Sequence, residues 1–208
     1  MKVKKNKPYT ELLSAKLTDV EFVVLDVETT GLKNNSYIID IALVKVKNFV
    51  EIDRFNTLVK PLQPINIFIQ KLTHITNEMV ILAPKFNEIR TFVRYFIGNS
   101  VIVGHNVKFD KQMLDLEYTR YDDPPLNNLT VDTLRLAYKI FPKEEKKSLK
   151  HLSKLLNIEH KNMHRALGDT LATVELFNVL LGKAIEQFKL ETLNDLIKLL
   201  QPSKNNSN

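Results

Sequence analysis

The sequence predicts an α/β fold in which a mixed sheet is covered by helices. Two patterns carry this: three strand-like runs with short connections between residues 21 and 59, and an alternation of helical and strand-like runs from residue 86 to residue 181. The first fits an antiparallel meander, the second the helix-connected strands of a layered α/β domain. Size agrees, because 208 residues with 44% apolar content can bury the core of one domain and are too few for two comfortable ones.

Residues 1–20 are polar and lysine-rich and read as an N-terminal arm, with one helical turn near Glu11 to Ala15. The domain opens at Glu21. Phe22 to Leu25 is a short apolar run ended by the turn residues Thr29, Thr30 and Gly31, which suits a buried strand. Tyr37 to Val46 is the second strand and Val50 to Val59, closing at Pro61, the third. After Pro64 the pattern changes towards helix, with a poorly periodic segment to Leu82 and then Phe86, Ile89, Phe92, Val93, Phe96 and Ile97 at helical spacing. Val101 to Val103 is a fourth strand. Helical patterns at Lys108 to Tyr118, Thr133 to Ile140 and Leu149 to Leu156 surround a short strand at Leu129 to Asp132, and Asp123-Pro124-Pro125 and Phe141-Pro142 mark the loops.

Arg165 to Leu181 is the clearest helix: Leu167, Leu171, Val174, Phe177 and Leu181 make one apolar stripe, and Asp169 lies off it. Beyond Gly182, Leu190, Leu193, Ile197 and Leu200 outline a last amphipathic helix, ended by Pro202 and a polar tail. That helix either packs on the domain's own surface or docks on a partner. The expected organisation is a basic arm over 1–20, a domain over 21–182, and a C-terminal helix with a tail over 183–208.

The absence of cysteine excludes disulfides, thiolate metal sites and a cysteine nucleophile, so any metal must sit on oxygen or imidazole. Thirty basic residues against 24 acidic ones give a net charge of +6, which favours a polyanionic partner, although many basic proteins bind no nucleic acid. Met1 to Leu17 lacks the continuous apolar region of a signal peptide, and no later run is long and apolar enough to span a bilayer. A cytoplasmic protein without a membrane partner is the expectation.

Three short motifs carry the chemistry. In Leu25-Asp26-Val27-Glu28-Thr29-Thr30-Gly31, strand alternation turns Asp26 and Glu28 to one face. Two carboxylates about 4 Å apart repel by about 4 kcal/mol at an effective dielectric of 20, an arrangement that wants a cation. The turn that follows lets backbone N–H groups approach a phosphate or a sugar hydroxyl. The ordinary reading of an Asp-x-Glu pair is a solvated strand face, but here an apolar run precedes it and a tight turn follows. The second motif is Gly104-His105-Asn106-Val107-Lys108-Phe109-Asp110, directly after the strand Val101 to Val103, where ligands of α/β folds tend to bind. Asp110 is a third candidate carboxylate there, or simply a first-turn acid that compensates a helix dipole. The third, His164-Arg165-Ala166-Leu167-Gly168-Asp169, joins a loop histidine able to take a proton from water to a carboxylate on the strongest helix. Position within a motif separates His164 from His74, His105, His151 and His160, each of which reads as an ordinary polar residue.

Together these residues resemble the DnaQ-like, or DEDDh, 3'–5' exonuclease family, whose signature runs D-x-E-T-T-G, H-N-x-x-F-D and H-R-A-L-x-D. The resemblance covers roughly Phe22 to Leu181 and includes Tyr37-Ile38-Ile39-Asp40-Ile41-Ala42, Leu72-Thr73-His74-Ile75-Thr76-Asn77-Glu78-Met79 and Val131-Asp132-Thr133. Within the family the chain is most similar to the proofreading exonucleases of bacterial replicative polymerases and their free-standing relatives. The resemblance implies an RNase H-like fold, a five-stranded mixed sheet with helices on both faces. It implies two divalent cations, Mg²⁺ or Mn²⁺, the first held by Asp26, Glu28 and Asp169 and the second by Asp26 and Asp110. It makes His164 the general base, and it implies that Thr29, Thr30, Gly31 and Leu32 line the site for the terminal nucleotide, with Thr73, His105, Asn106 and Phe109 nearby. The expected substrate is a single-stranded 3' end of DNA and the expected partner a polymerase or another replication or repair protein. The alternatives are the same chemistry on RNA 3' ends or short oligoribonucleotides, and a non-catalytic nucleic-acid-binding module, whose mark would be a missing carboxylate or histidine. The chain departs from a common family pattern at His74, where many members have glycine, and at Thr73, where some have histidine. Asp40 and Asp132 lie in family-like segments and read as structural acids.

Overall fold

The computed structural model describes residues 9–201; the start of the basic arm and the polar tail from Pro202 onward lie outside the described residues. In chain order the elements are α1 (Tyr9–Leu13), β1 (Glu21–Thr29), β2 (Ile38–Lys47), β3 (Val50–Leu58), α2 (Ile67–Thr73), α3 (Asn77–Val80), α4 (Phe86–Ile97), β4 (Val101–Gly104), α5 (Lys108–Thr119), β5 (Thr130–Asp132), α6 (Thr133–Ile140), α7 (Leu149–Leu155), α8 (Ala166–Phe188) and α9 (Leu193–Leu200). The strands form one mixed sheet in the order β3-β2-β1-β4-β5. The β1-β2-β3 meander is antiparallel, while β4 runs parallel to β1 and β5 parallel to β4.

The period of two along β1 divides the core. Phe22 and Val24 face a cluster built largely from α6, α7, α8 and α9, whereas Val23, Leu25 and Val27 face one built from α4 and α5. The α8 side of β1 therefore begins apolar and ends, two and four residues past Val24, in Asp26 and Glu28. Burial holds the strand in place, and its C-terminal end brings two carboxylates against a helix.

Two segments differ from what the sequence suggested. Residues 64–82, poorly periodic as sequence, fold as α2 and α3 over a small third cluster of Ile39, Ile65, Ile69, Ile75 and Val80. Helices of 7 and 4 residues are too short to display a repeat, and side-chain caps from Asn66 and Thr76 start them instead. His74 ends α2 in the left-handed region, with φ 58°. This accounts for the glycine common at that position in the family, because glycine occupies that region without a Cβ penalty. Helix α8 runs on past Leu181 and Gly182 to Phe188. A helical glycine costs only about 1 kcal/mol relative to alanine, and the turn beyond it buries Ala184 and packs Ile185 on the core.

Helix α9 packs at home. Leu193, Leu196 and Leu200 are buried in the α8-side cluster, and the β-like contact of Lys16 with Thr192 ties the helix to the N-terminal arm. Removal of residues 191–201 forfeits three buried leucines at about 1.5–3 kcal/mol each. At about 2–4 °C per kcal/mol for a chain of this size, the melting temperature is expected to fall by on the order of 10 °C. A truncated protein that melts with the full chain would show α9 to be dispensable to the core.

Candidate active site

The site forms where the end of β1 meets the start of α8. The two elements are bound through a pair distant in sequence: Arg165, the residue before α8, donates from Nε to Asp40 Oδ2 on β2 at 3.0 Å. Asp40 lies directly across from Glu28 in the β1–β2 register. With α8 fixed this way, Asp169 in its first turn meets the strand carboxylates. Asp26, Glu28 and Asp169 each offer an oxygen within 4.8 Å of the others, and all three are partly buried. Neither Asp26 nor Glu28 accepts a hydrogen bond from any described residue.

Asp110 arrives from the other face of the sheet. β4 pairs with β1 only along Phe22 to Val24, so the main chain of β1 outruns its neighbour. The buried Asp110, in the first turn of α5, takes up the slack: its Oδ1 accepts from the Val27 N–H at 3.1 Å. Asp110 exerts the largest charge effect on Asp26, although it is not one of the three-oxygen group. The structure thus gathers all four acids at the tip of β1, three of them tightly and the fourth through the backbone.

This gathering has an electrostatic cost. Burial first, then the charges of Asp110, Asp169, Glu28 and Asp40, raise the pKa of Asp26 well above the ordinary carboxylate range. Burial and the charges of Asp169, Asp40 and Asp110 push Glu28 up to about 8. Burial pushes Asp110 to about 7 against the opposing pull of the Val27 N–H. A compact, oxygen-only donor set whose members repel each other fits a hard divalent cation. Because the folded-state pKa values are raised, the folded metal-free chain binds these protons more tightly than the unfolded chain. Their stabilising contribution is complete below the usual carboxylate range and is lost as pH rises through about 7 to 8. Melts of EDTA-treated protein from about pH 5 to about pH 8.5 are expected to show a falling melting temperature, and millimolar Mg²⁺ or Mn²⁺ should raise it most at the alkaline end. An alkaline limb unaffected by metal would mean that the carboxylates bind none.

The loop before α8 carries two histidines. The His164 imidazole is exposed, and its main-chain N–H donates to Asp169 Oδ2 at 3.2 Å. The second oxygen of Asp169 is met by His160, whose Nε2 lies 2.5 Å from Oδ1. Sequence reasoning passed over His160 because it lies outside the His164–Asp169 motif. Its only signal is a place in the same loop. Gly168 is needed beneath that loop, since a Cβ there would fall 2.3 Å from the Lys161 carbonyl oxygen and 2.6 Å from that of Asn162.

The other candidates divide into surface and interior. Leu32 is 82% exposed at the end of β1, and Gly31 lies beside it. Thr29 and Thr30 are buried and build the turn: Thr29 Oγ1 donates to the Gly31 carbonyl, and Thr30 Oγ1 accepts from the Tyr37 N–H and from Gln63. Asn106 is exposed in the left-handed region, with its N–H bound to Asp132 Oδ1, while His105 pairs through Nδ1 with Thr133 Oγ1. Phe109 packs partly buried against the α5-side core. Thr73 is interior as well, 1% exposed and with its hydroxyl used within α2, donating to the Ile69 carbonyl. Asp132 caps α6 and Asp40 anchors Arg165, so both are structural acids as expected.

Comparison with known proteins agrees with this geometry. The PolC-type DNA polymerase III of Staphylococcus aureus (strain bovine RF122 / ET3-1) is 38% identical over 174 residues, covering 83% of this chain and 12% of that protein. The chain therefore spans about an eighth of the length of the curated relatives it matches. Among solved structures, exonuclease I superposes with a TM-score of 0.73 at 21% identity, over 82% of this chain and 43% of that one. Exonuclease X in complex with 5' overhanging duplex DNA gives 0.69 at 23% identity, over 86% and 99%. These likenesses identify the sheet and its helices as an RNase H-like fold. The profile of the RNase_T family, described as Exonuclease, matches residues 23–177. By that match, which takes in both the strand and the helix that build the carboxylate cluster, the chain belongs to the exonuclease family.

Proposed function

We propose that the chain is a metal-dependent 3'–5' exonuclease that hydrolyses the terminal phosphodiester bond of a DNA strand and releases nucleoside 5'-monophosphates. The observation that carries this reading is the convergence of Asp26, Glu28 and Asp169 within a span matched by the exonuclease family. Asp26, Glu28 and Asp169 would hold one divalent cation, Mg²⁺ or Mn²⁺, and Asp26 with Asp110 a second. When bound, such ions activate water and offset charge on the entering and leaving oxygens of a phosphodiester. His164 accepts the proton of the attacking water, its main chain being tied to Asp169 and its side chain exposed. The turn from Thr29 to Leu32 receives the terminal nucleotide, with Asn106 on the neighbouring loop. The PolC-type relatives support DNA as the substrate and a polymerase as the partner.

The test uses single-stranded DNA, mismatched duplex and RNA, each labelled at the 5' end and incubated with Mg²⁺, Mn²⁺ or EDTA. The expected result is a ladder that shortens from the 3' end of DNA with either metal and is absent in EDTA, with mononucleotides as product. Immediate release of the 5' label in small products would reverse the direction. Faster loss of RNA would move the substrate to that polymer, whose 2'-hydroxyl the site would then read.

A further inference from the structure

We infer that His160 is a positioning residue: it holds Asp169 and, through Asp169, the loop that carries His164. The inference rests on the exonuclease reading for its kinetic consequence and on geometry for the contact itself. The ring of His160 is only 10% exposed, and its one polar contact among the described residues is the bond from Nε2 to Asp169 Oδ1. Nδ1 is buried without a partner. A histidine that is neither solvated nor bonded on its far side is held where it is by what it meets on its near side. The proton belongs on Nε2, facing the carboxylate, so that His160 donates and Asp169 accepts.

The loop gives this contact its importance. From Glu159 to His164 the chain lies outside helix and strand, with a single turn at Met163 and His164, and both Asn162 and His164 adopt left-handed conformations, with φ of 52° and 63°. Non-glycine residues persist there when their surroundings hold them. The surroundings are the bare surface of Gly168 beneath and the two oxygens of Asp169, one bound at each end of the stretch from His160 to His164. One carboxylate thus fixes both a candidate metal ligand and the main chain of the candidate base. Loss of the His160 bond frees Asp169 to rotate and lets the His164 end of the loop drift.

His160→Ala and His160→Gln separate this role from simple packing, since the glutamine amide can donate to the same carboxylate oxygen and alanine cannot. Hydrogen exchange of the metal-free proteins follows the His164 amide, and steady-state kinetics on single-stranded DNA in saturating Mn²⁺ follow kcat and KM. Groups that orient a metal ligand typically contribute about 10–100-fold, so His160→Ala is expected to lose kcat by that factor with KM little changed. Its His164 amide should lose protection, and His160→Gln should recover most of both. Wild-type kcat and protection in His160→Ala, or a glutamine variant as impaired as the alanine one, would overturn the role. The exchange measurement needs no catalysis. A wild-type chain inactive on every nucleic acid would therefore refute the exonuclease reading, while the His164 amide would still decide the contact.

Discussion

Asp26→Ala is expected to lower turnover on single-stranded DNA in Mg²⁺ by on the order of 10³-fold, because metal stabilisation of the transition state is worth several kcal/mol and each 1.36 kcal/mol is tenfold. The same variant should melt at a higher temperature than wild type in EDTA at alkaline pH, since the chain then no longer confines that carboxylate among Asp110, Asp169 and Glu28. Asp169→Ala should be equally inactive without the gain in stability, because Asp169 also anchors His160 and the His164 main chain. Comparing the two melting curves separates repulsion from anchoring. Near wild-type turnover in either variant would remove these carboxylates from the chemistry.

His164→Ala should cut the rate by roughly 10²–10⁴-fold, the usual contribution of a general base. Metal binding should survive, so the rise in melting temperature with Mn²⁺ should match that of wild type. A variant that lost the metal-induced rise would make His164 a ligand. An unchanged rate would assign the base to another group.

Much of this site was legible because the chain carries it on regular elements. Alternation along β1 put Asp26 and Glu28 on one face, and the stripe of α8 put Asp169 off it. What the sequence could not display is the set of long-range bonds that bring them together. Asp40 and Arg165 are separated by 125 positions, and Val27 and Asp110 by 83. His160 was illegible for a related reason. Its approach to Asp169 depends on a loop of left-handed residues with no repeat, and no spacing rule converts nine positions of such chain into a distance. The boundaries of the sheet and of α4 to α7 were readable to within a residue or two, whereas α2 and α3 depend on caps and on a local cluster that no periodicity announces.

The pairing of the N-terminal arm with the approach to α9 has a topological consequence. The Leu17 N–H donates to the Glu191 carbonyl and the Leu193 N–H to that of Ala15, so the segment between α1 and β1 and the segment entering α9 lie side by side, and the first and last helices described are neighbours. A unit whose two connections are adjacent can be spliced into a surface loop of a host polypeptide without stretching either linker or breaking its own core. Joining the chain ahead of α1 to the chain beyond α9 by a tether, which keeps the buried leucines of α9 in place, and opening it at an exposed turn elsewhere should likewise give a circular permutant with the sheet and the carboxylate cluster intact.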